Sequence, residues 1–314
     1  MKTFSALSCA SAVVFALLPG CSSPTTSPTA FAPIRAAAPP AKYGGLDDLY
    51  VADYGTGTVF LFKNRGYAPD GSIKTGISGP WDVTLDQSGN LYVANADGGN
   101  ITEYAPGTST PSFTYFFAMI SPRLVTVDRQ GNLFETDFTG YDEPGRVSEY
   151  PQASNHPLYS CTVPGPFGVA VDSSGNVFVD YNGPRFAGGH IEEFTGGLAG
   201  CKPTVLGAHV GSATGIVLDS RKNLLVGDSS AKRIDVIPPP YSKIVGHLKT
   251  GRWGPLFISI DKANSKVFAS VSGFYHSYVI VVGYPGGRFE QRLGYSRGKF
   301  GSPYGVVDAP NETP

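Results

Sequence analysis

The sequence predicts an all-β fold, a six-bladed β-propeller closed by pairing its last strand with its first blade. Three observations predict it: a seventeen-residue phrase recurring at near-constant spacing, a strand–turn–strand pattern inside each copy, and two incomplete copies at the ends that complete one another. The phrase reads GPWDVTLDQSGNLYVAN from Gly79, SPRLVTVDRQGNLFETD from Ser121, GPFGVAVDSSGNVFVDY from Gly165 and SATGIVLDSRKNLLVGD from Ser212. A fifth copy, GPLFISIDKANSKVFASV from Gly254, carries one extra residue in its turn. The recurring aspartates Asp86, Asp128, Asp172, Asp219 and Asp261 lie 42, 44, 47 and 42 residues apart, the spacing of one four-stranded propeller blade.

Each copy reads as chemistry before it reads as a family. A Gly-Pro or Ser-Pro starts an apolar run whose continuity fits a strand buried on both faces, the innermost of the blade. Asp-x-x-Gly-Asn then makes a tight turn, Gly and Asn tolerating positive φ while Asp bonds the backbone ahead of it. A second strand such as Leu91 to Ala94 follows, then a third such as Asn100 to Tyr104. The fourth, outer strands are the most variable and are expected at 112–117, 157–163, 203–206 and 243–249.

The ends supply the sixth blade. Asp48-Leu49-Tyr50-Val51-Ala52-Asp53 matches a second strand with no first strand before it, and Ser302-Pro303-Tyr304-Gly305-Val306-Val307-Asp308 a first strand with nothing after it. Pairing them closes the ring and removes exposed sheet edges. The closing copy is one residue short before its Asp, which leaves its register open.

The phrase PxG[VI]xxD…GN[LV][YF]V, running through about residues 44 to 309, resembles the NHL-repeat family of propellers. The resemblance implies the architecture. Relatives by fold include gluconolactonase-like lactonases, virginiamycin B lyase-type enzymes and pure binding propellers, and a shared fold does not choose among them.

Outside the repeats the chain has a leader and a tether. Met1-Lys2 precedes an uncharged apolar run from Phe4 to Leu18 and then Leu18-Pro19-Gly20-Cys21, so residues 1–21 read as a secretory signal too short to span a bilayer comfortably. Its end resembles the lipobox of bacterial lipoproteins, which implies lipidation at Cys21, with Pro19 standing where a small residue is usual. Residues 22–43 are dense in Pro, Ser, Thr and Ala and read as a tether reaching at most about 60 Å. The propeller is expected over 44–314, anchored by lipid alone in the cell envelope or otherwise secreted. Net charge is −1 with 16% charged residues, and no Lys/Arg cluster exceeds a pair, which excludes nucleic acid as the main partner.

Two residue rings converge on the end of the channel where the loop entering the first strand and the loop between the second and third strands both open. The first ring follows the Gly-Pro: Trp81, Arg123, Phe167, Thr214, Leu256 and Tyr304. Its aromatics either plug the mouth, or Trp81, Phe167 and Tyr304 form a platform on which a flat or sugar-like group stacks while Arg123 pairs with an anion. The second ring ends the second strands: Asp53, Asn95, Asp137, Tyr181, Asp228 and Val271. Its polar members are expected to accept backbone hydrogen bonds. Asn95, Asp137 and Asp228 are also the oxygen donors that would suit Ca²⁺ or Mg²⁺, although no cofactor is expected. The resemblance to lactonases implies a glutamate in such a place, and neither ring has one. His190 and His276 are the candidates for a lyase base, and both read first as solvated loop residues. Residues 138–145 and 182–189 are insertions on the same end. Cys161 and Cys201 form an even pair in an oxidising compartment, either a disulfide or two separate thiols.

These readings converge on a lipid-anchored monomer. A binding or scaffold propeller presenting Trp81, Arg123, Phe167 and Tyr304 to a small molecule, glycan, peptide or protein is expected. A metal-assisted lactonase or lyase in the same channel is the alternative, and a structural part of a cell-envelope assembly the second.

Overall fold

A computed structural model describes residues 48–63, 68–140, 143–183, 188–272, 277–294 and 301–309. The leader, the tether, His276 and parts of both expected insertions lie outside these residues. The described chain forms six four-stranded antiparallel sheets. Blade 2 is β4(Pro80–Leu85), β5(Leu91–Asn95), β6(Asn100–Tyr104) and β7(Phe113–Tyr115). Blade 3 is β8(Pro122–Val127), β9(Leu133–Asp137), β10(Pro144–Tyr150) and β11(Tyr159–Pro164). Blade 4 is β12(Pro166–Val171), β13(Val177–Asn182), β14(Gly189–Phe194) and β15(Thr204–Val205). Blade 5 is β16(Ala213–Leu218), β17(Leu224–Asp228), β18(Arg233–Ile237) and β19(Gly246–Lys249). Blade 6 is β20(Pro255–Ile260), β21(Lys266–Ser272), β22(Ser277–Gly283) and β23(Phe289–Leu293). Blade 1 joins β24(Pro303–Ala309) to β1(Asp48–Asp53), β2(Thr58–Phe62) and β3(Gly71–Ile73). The innermost strands β24, β4, β8, β12, β16 and β20 each touch the next, around to β24 again. That unbroken circuit is the channel wall.

The turn that names the repeat is built as its residue types dictate. Asp86 Oδ1 accepts from the backbone N–H groups of Ser88 and Asn90, both at 2.8 Å, while Asn90 Nδ2 donates to Oδ2 at 2.7 Å. Asp128, Asp172 and Asp219 repeat the pattern with Asn132, Asn176 and Asn223. In the fifth turn the extra residue shifts the partners to Ser265 and Lys266. The residue before the Asn lies in the left-handed region at Gly89 (φ 77°), Gly131 (85°) and Gly175 (81°), and Lys222 holds it at 64°, a conformation that disfavours any side chain. Lys222 Nζ reaches back across the blade boundary to Asp172 Oδ2 at 2.9 Å and Ser174 Oγ at 2.8 Å.

Closure resolves the short final copy. Leu49 pairs with Asp308, Tyr50 with Val307 and Val51 with Val306, whereas in blade 2 Leu91 pairs with Leu85. Asp308 therefore stands where Leu85 stands, inside the strand, and not at the turn Asp86 begins. Nothing is missing; the apparent match to the turn aspartate is one position out. Asp53 latches the seam, its carboxylate accepting from Gly301 N and Ser302 N at 2.7 Å each and from Gly55 N at 3.1 Å.

The core is distributed between blades. Six buried clusters lie between neighbouring sheets: Tyr50, Val59 and Ile73 with Val83, Val93 and Tyr104 between blades 1 and 2, and so around the ring, the one between blades 3 and 4 also taking in Phe257 of blade 6. Each fully buried Val, Leu or Ile contributes on the order of 2 kcal/mol, so no blade is stable without its neighbours. The outer strands are shorter than expected in blades 2, 4 and 5, because the chain leaves the ladder after Tyr115 and Val205 and joins it only at Gly246. A disulfide joins Cys161 of β11 to Cys201, with Cα atoms 5.3 Å apart. Cys201 lies in the turn before β15, at φ 48°, which brings it level with Cys161.

Candidate functional site

A single device aims the first ring at the channel mouth. In all six blades the pairing of first and second strands slips just after the opening residue, as between Pro80 and Asp82, Pro166 and Gly168, or Pro255 and Leu256's follower Phe257. Such a bulge leaves a residue outside the ladder and re-aims its side chain. The residues so released are those of the first ring.

Four of them meet in one column. The Tyr304 and Trp81 rings stack with centroids 4.4 Å apart and an angle of 31°. The Arg123 guanidinium lies 3.5 Å from the Trp81 ring centroid and 4.7 Å from that of Phe138. Phe138 in turn lies 5.5 Å from Phe167. Two groups so close to Trp81 cannot share one face of the indole, so Tyr304 covers one side and Arg123 the other. Both indole faces are thus covered by side chains of the neighbouring blades. What the column offers is the partly exposed flanks of Tyr304, Arg123 and Phe167, with the cation held between aromatic faces that favour it electrostatically.

Three members were missed by sequence reasoning. Tyr54 lies edge-on to Trp81 at 5.4 Å and 5.5 Å from Tyr304, and its hydroxyl donates to Asp97 Oδ1 at 3.1 Å. Burial, the bond to Asp97 and the Asp97 charge raise the Tyr54 pKa, the Arg123 charge opposing them. Tyr54 and Phe138 both directly follow a second-ring residue, a signal that was readable as a third ring. Phe257 sits below, T-shaped to Trp81 at 6.2 Å and buried with Leu124 and Val169. Thr214 and Leu256 do not join the column. Thr214 Oγ1 donates to Pro255 O at 2.9 Å, tying blade 5 to blade 6, and Leu256 packs on the buried cluster.

The second ring is structural in its bonding. Asn95 Oδ1 accepts from Ser78 N at 3.0 Å, and Nδ2 donates to Asn100 Oδ1 and Thr102 Oγ1. Asp137 accepts from Ile120 N, from Ser121 N at 2.6 Å and from Arg146 Nη2 at 2.6 Å. Asp228 accepts from Gly211, Ser212 and Ala231 N and from Ser230 Oγ, bonds that hold its pKa low against the opposing effect of burial. Each of the three therefore fastens the loop entering its blade's first strand. Among the described residues no group of three His, Cys, Asp or Glu side chains is placed to hold a metal ion. Tyr181 stacks on His190 at 5.2 Å, and His190 meets His209 at 6.1 Å, beside but apart from the column.

Carboxylates line the wall below. Asp82, the residue after Trp81, accepts from Val125 N of the next blade at 3.1 Å, and burial pushes its pKa up to about 7. Asp180 accepts from Gly168 N and is likewise raised to about 7 by burial. At the opposite, turn-bearing end, a polar cavity of about 450 Å³ is lined by Gln87, Arg129, Asp172, Ser174 and Lys222 among others. The carboxylates there are the turn aspartates, already bonded to their own backbone.

No family model matches the chain and no curated protein matches its sequence. Solved structures do match in fold. A protein of unknown function from Bacteroides caccae aligns with a TM-score of 0.66 at 10% identity, over 83% of this chain and 98% of that one. A chain of a nidogen/laminin complex aligns with a TM-score of 0.66 at 14% identity, over 85% and 100%. At such identities the likeness concerns the fold alone, and it agrees with the six closed sheets: the chain is a six-bladed β-propeller.

Proposed function

We propose that this chain is a lipid-anchored binding propeller of the NHL-repeat kind, working outside the cytoplasm and capturing its ligand at the loop-bearing mouth. The observation that carries the reading is the column Tyr304–Trp81–Arg123–Phe138–Phe167, built from four blades, four of its members aimed at the entrance by the repeated bulges. A guanidinium packed between aromatic rings is a planar, permanently charged group, a geometry and charge that suit a carboxylate or other planar anion. The aromatic flanks fit the apolar face of a sugar, peptide side chain or small ring. The ligand class is thus an anionic small molecule, acidic glycan or acidic peptide segment. Lipidation at Cys21 holds the propeller at a membrane of the cell envelope.

Binding is favoured over metal-assisted lactonase or lyase chemistry because Asn95, Asp137 and Asp228 are committed to the loops they fasten. The similar chain from a nidogen/laminin complex is a likeness of fold, and it is consistent with a propeller used for recognition.

Calorimetric titration with a panel of neutral and acidic oligosaccharides and peptides tests the site. A ligand captured by the wild type should lose at least tenfold in affinity with Arg123→Gln and more with Trp81→Ala plus Arg123→Ala. Unchanged affinity in both variants moves the site elsewhere. Turnover of a lactone by the wild type, abolished by chelator, would establish the enzymatic reading instead.

A further inference from the structure

The link from blade 2 to blade 3 is Phe116-Phe117-Ala118-Met119-Ile120. Phe116 and Ile120 are each 62% exposed and Phe117 47%, while Met119 turns inward. A run like this in a slack loop would mean little. Here its backbone is held at four points by side chains of blade 3. Asn155 Oδ1 accepts from Phe116 N at 3.0 Å, Tyr150 Oη donates to Phe117 O at 2.9 Å, Arg146 Nη2 donates to Ala118 O, and Asp137 accepts from Ile120 N at 3.0 Å. Ala118 itself is held in the left-handed region, at φ 61°. The fold thus fixes three large apolar side chains pointing outward along the rim, where His156 meets Phe117 at 4.8 Å and Leu158 is exposed close by in sequence.

We infer that this rim is a membrane-contact surface, with a lipid bilayer as its occupant. The inference rests on the proposed anchor at Cys21. Two features favour a bilayer over a protein. First, no Asp, Glu, Lys or Arg occurs in residues 104–122 or 150–163, the link and the outer turn and strand of blade 3 beside it, and the Arg146 guanidinium that reaches the link is paired with Asp137 and Ala118 O, so entering an apolar medium desolvates no charge of those two segments. Second, 26 residues separate Cys21 from the start of β1 at Asp48, a reach of at most about 80 Å. A domain of this length is roughly 50 Å across, so an anchored propeller can bring any part of its rim to the bilayer, at an effective concentration on the order of millimolar. The anchor supplies proximity, and Phe116, Phe117 and Ile120 supply orientation.

The test uses the intact acylated chain in phosphatidylcholine/phosphatidylethanolamine vesicles containing lipids brominated high on the acyl chain. Phe117→Trp, a substitution at an exposed position, should show emission quenched at least twofold by the brominated lipid, beyond the parent chain with Trp81 and Trp253 alone. Phe116→Ser with Ile120→Ser in the same chain should abolish that quenching. An acylated, vesicle-bound Phe117→Trp chain with no added quenching overturns the inference while leaving the anchor intact. Failure of the wild type to take up labelled fatty acid overturns the anchor reading itself. A lipid-free dimer that Phe116→Ser dissociates would overturn the bilayer as occupant in favour of self-association.

Discussion

Glu135→Gln should stabilise the propeller at neutral pH and leave it nearly unchanged in acid. Glu135 is 1% exposed, between blades 2 and 3, and its Oε2 has no hydrogen-bond partner among the described residues. Burial above all, then the Asp137 charge, raise its pKa from the ordinary 4.5 to about 8, while Ser148 and Arg146 act the other way. Between these two values the unfolded chain has released the proton and the folded chain keeps it. Stability therefore falls as pH rises, by about 1.4 kcal/mol per unit, until the folded state also ionises near pH 8. At pH 7 the gap from the ordinary value is 2.5 units, a cost on the order of 3 kcal/mol that a neutral glutamine does not incur. Denaturant titrations of both proteins at pH 4, 5, 6 and 7 measure it. The variant's advantage should be close to zero at pH 4 and widen with each unit above 5. An advantage that is the same at pH 5 and pH 7, or a variant less stable at pH 7, refutes the assignment of a protonated carboxyl at this position.

The remaining predictions concern the seam, the disulfide and the column. Asp53→Ala removes bonds to Gly301 and Ser302 that join residues 248 and 249 apart in sequence, and should lower unfolding free energy by about 3–5 kcal/mol in urea titration, charged acceptors being the stronger kind. Breaking Cys161–Cys201, which closes a separation of 40 residues, should cost about 3–4 kcal/mol by the same measurement, with reductant having no effect on the Cys161→Ser, Cys201→Ser chain. Trp81→Ala should cost about 3 kcal/mol by opening a hole beside Phe257. Trp81→Phe should cost under about 1.5 kcal/mol, because the indole Nε1 it removes is buried with no hydrogen-bond partner among the described residues.

How much of this could be read from sequence divides along physical lines. The turn was readable because Asp, Gly and Asn have separate backbone reasons to stand where they do: all five copies keep the Asp, four the Asn in register and three the Gly. The closing strand was readable as well, but its register was not: Val307-Asp308 looks like the start of a turn, and only pairing with Leu49 shows that Asp308 lies within the strand. Outer strands were placed only loosely, since one face of each is exposed and little apolar patterning constrains it. The first ring was located by its position after the opening Pro, yet its internal contacts were not. Whether Trp81 keeps a bare face depends on the side-chain directions of Arg123 and Tyr304 across two blade boundaries, which no local pattern encodes. Tyr54 and Phe138 belonged to a ring that was there to be counted. Whether Cys161 and Cys201 bond was left open because it depends on how the turn before β15 brings Cys201 beside β11, which the residue types alone do not fix.

Trp81 and Trp253 are the two tryptophans of the chain, so Trp253→Phe leaves the column's own indole as the sole reporter. Titrating that variant with a ligand identified by calorimetry, and following emission, observes the proposed mouth directly. The account predicts a saturable change in Trp81 emission with the calorimetric midpoint, abolished by Arg123→Gln. Full calorimetric binding with no change in Trp81 emission would contradict it.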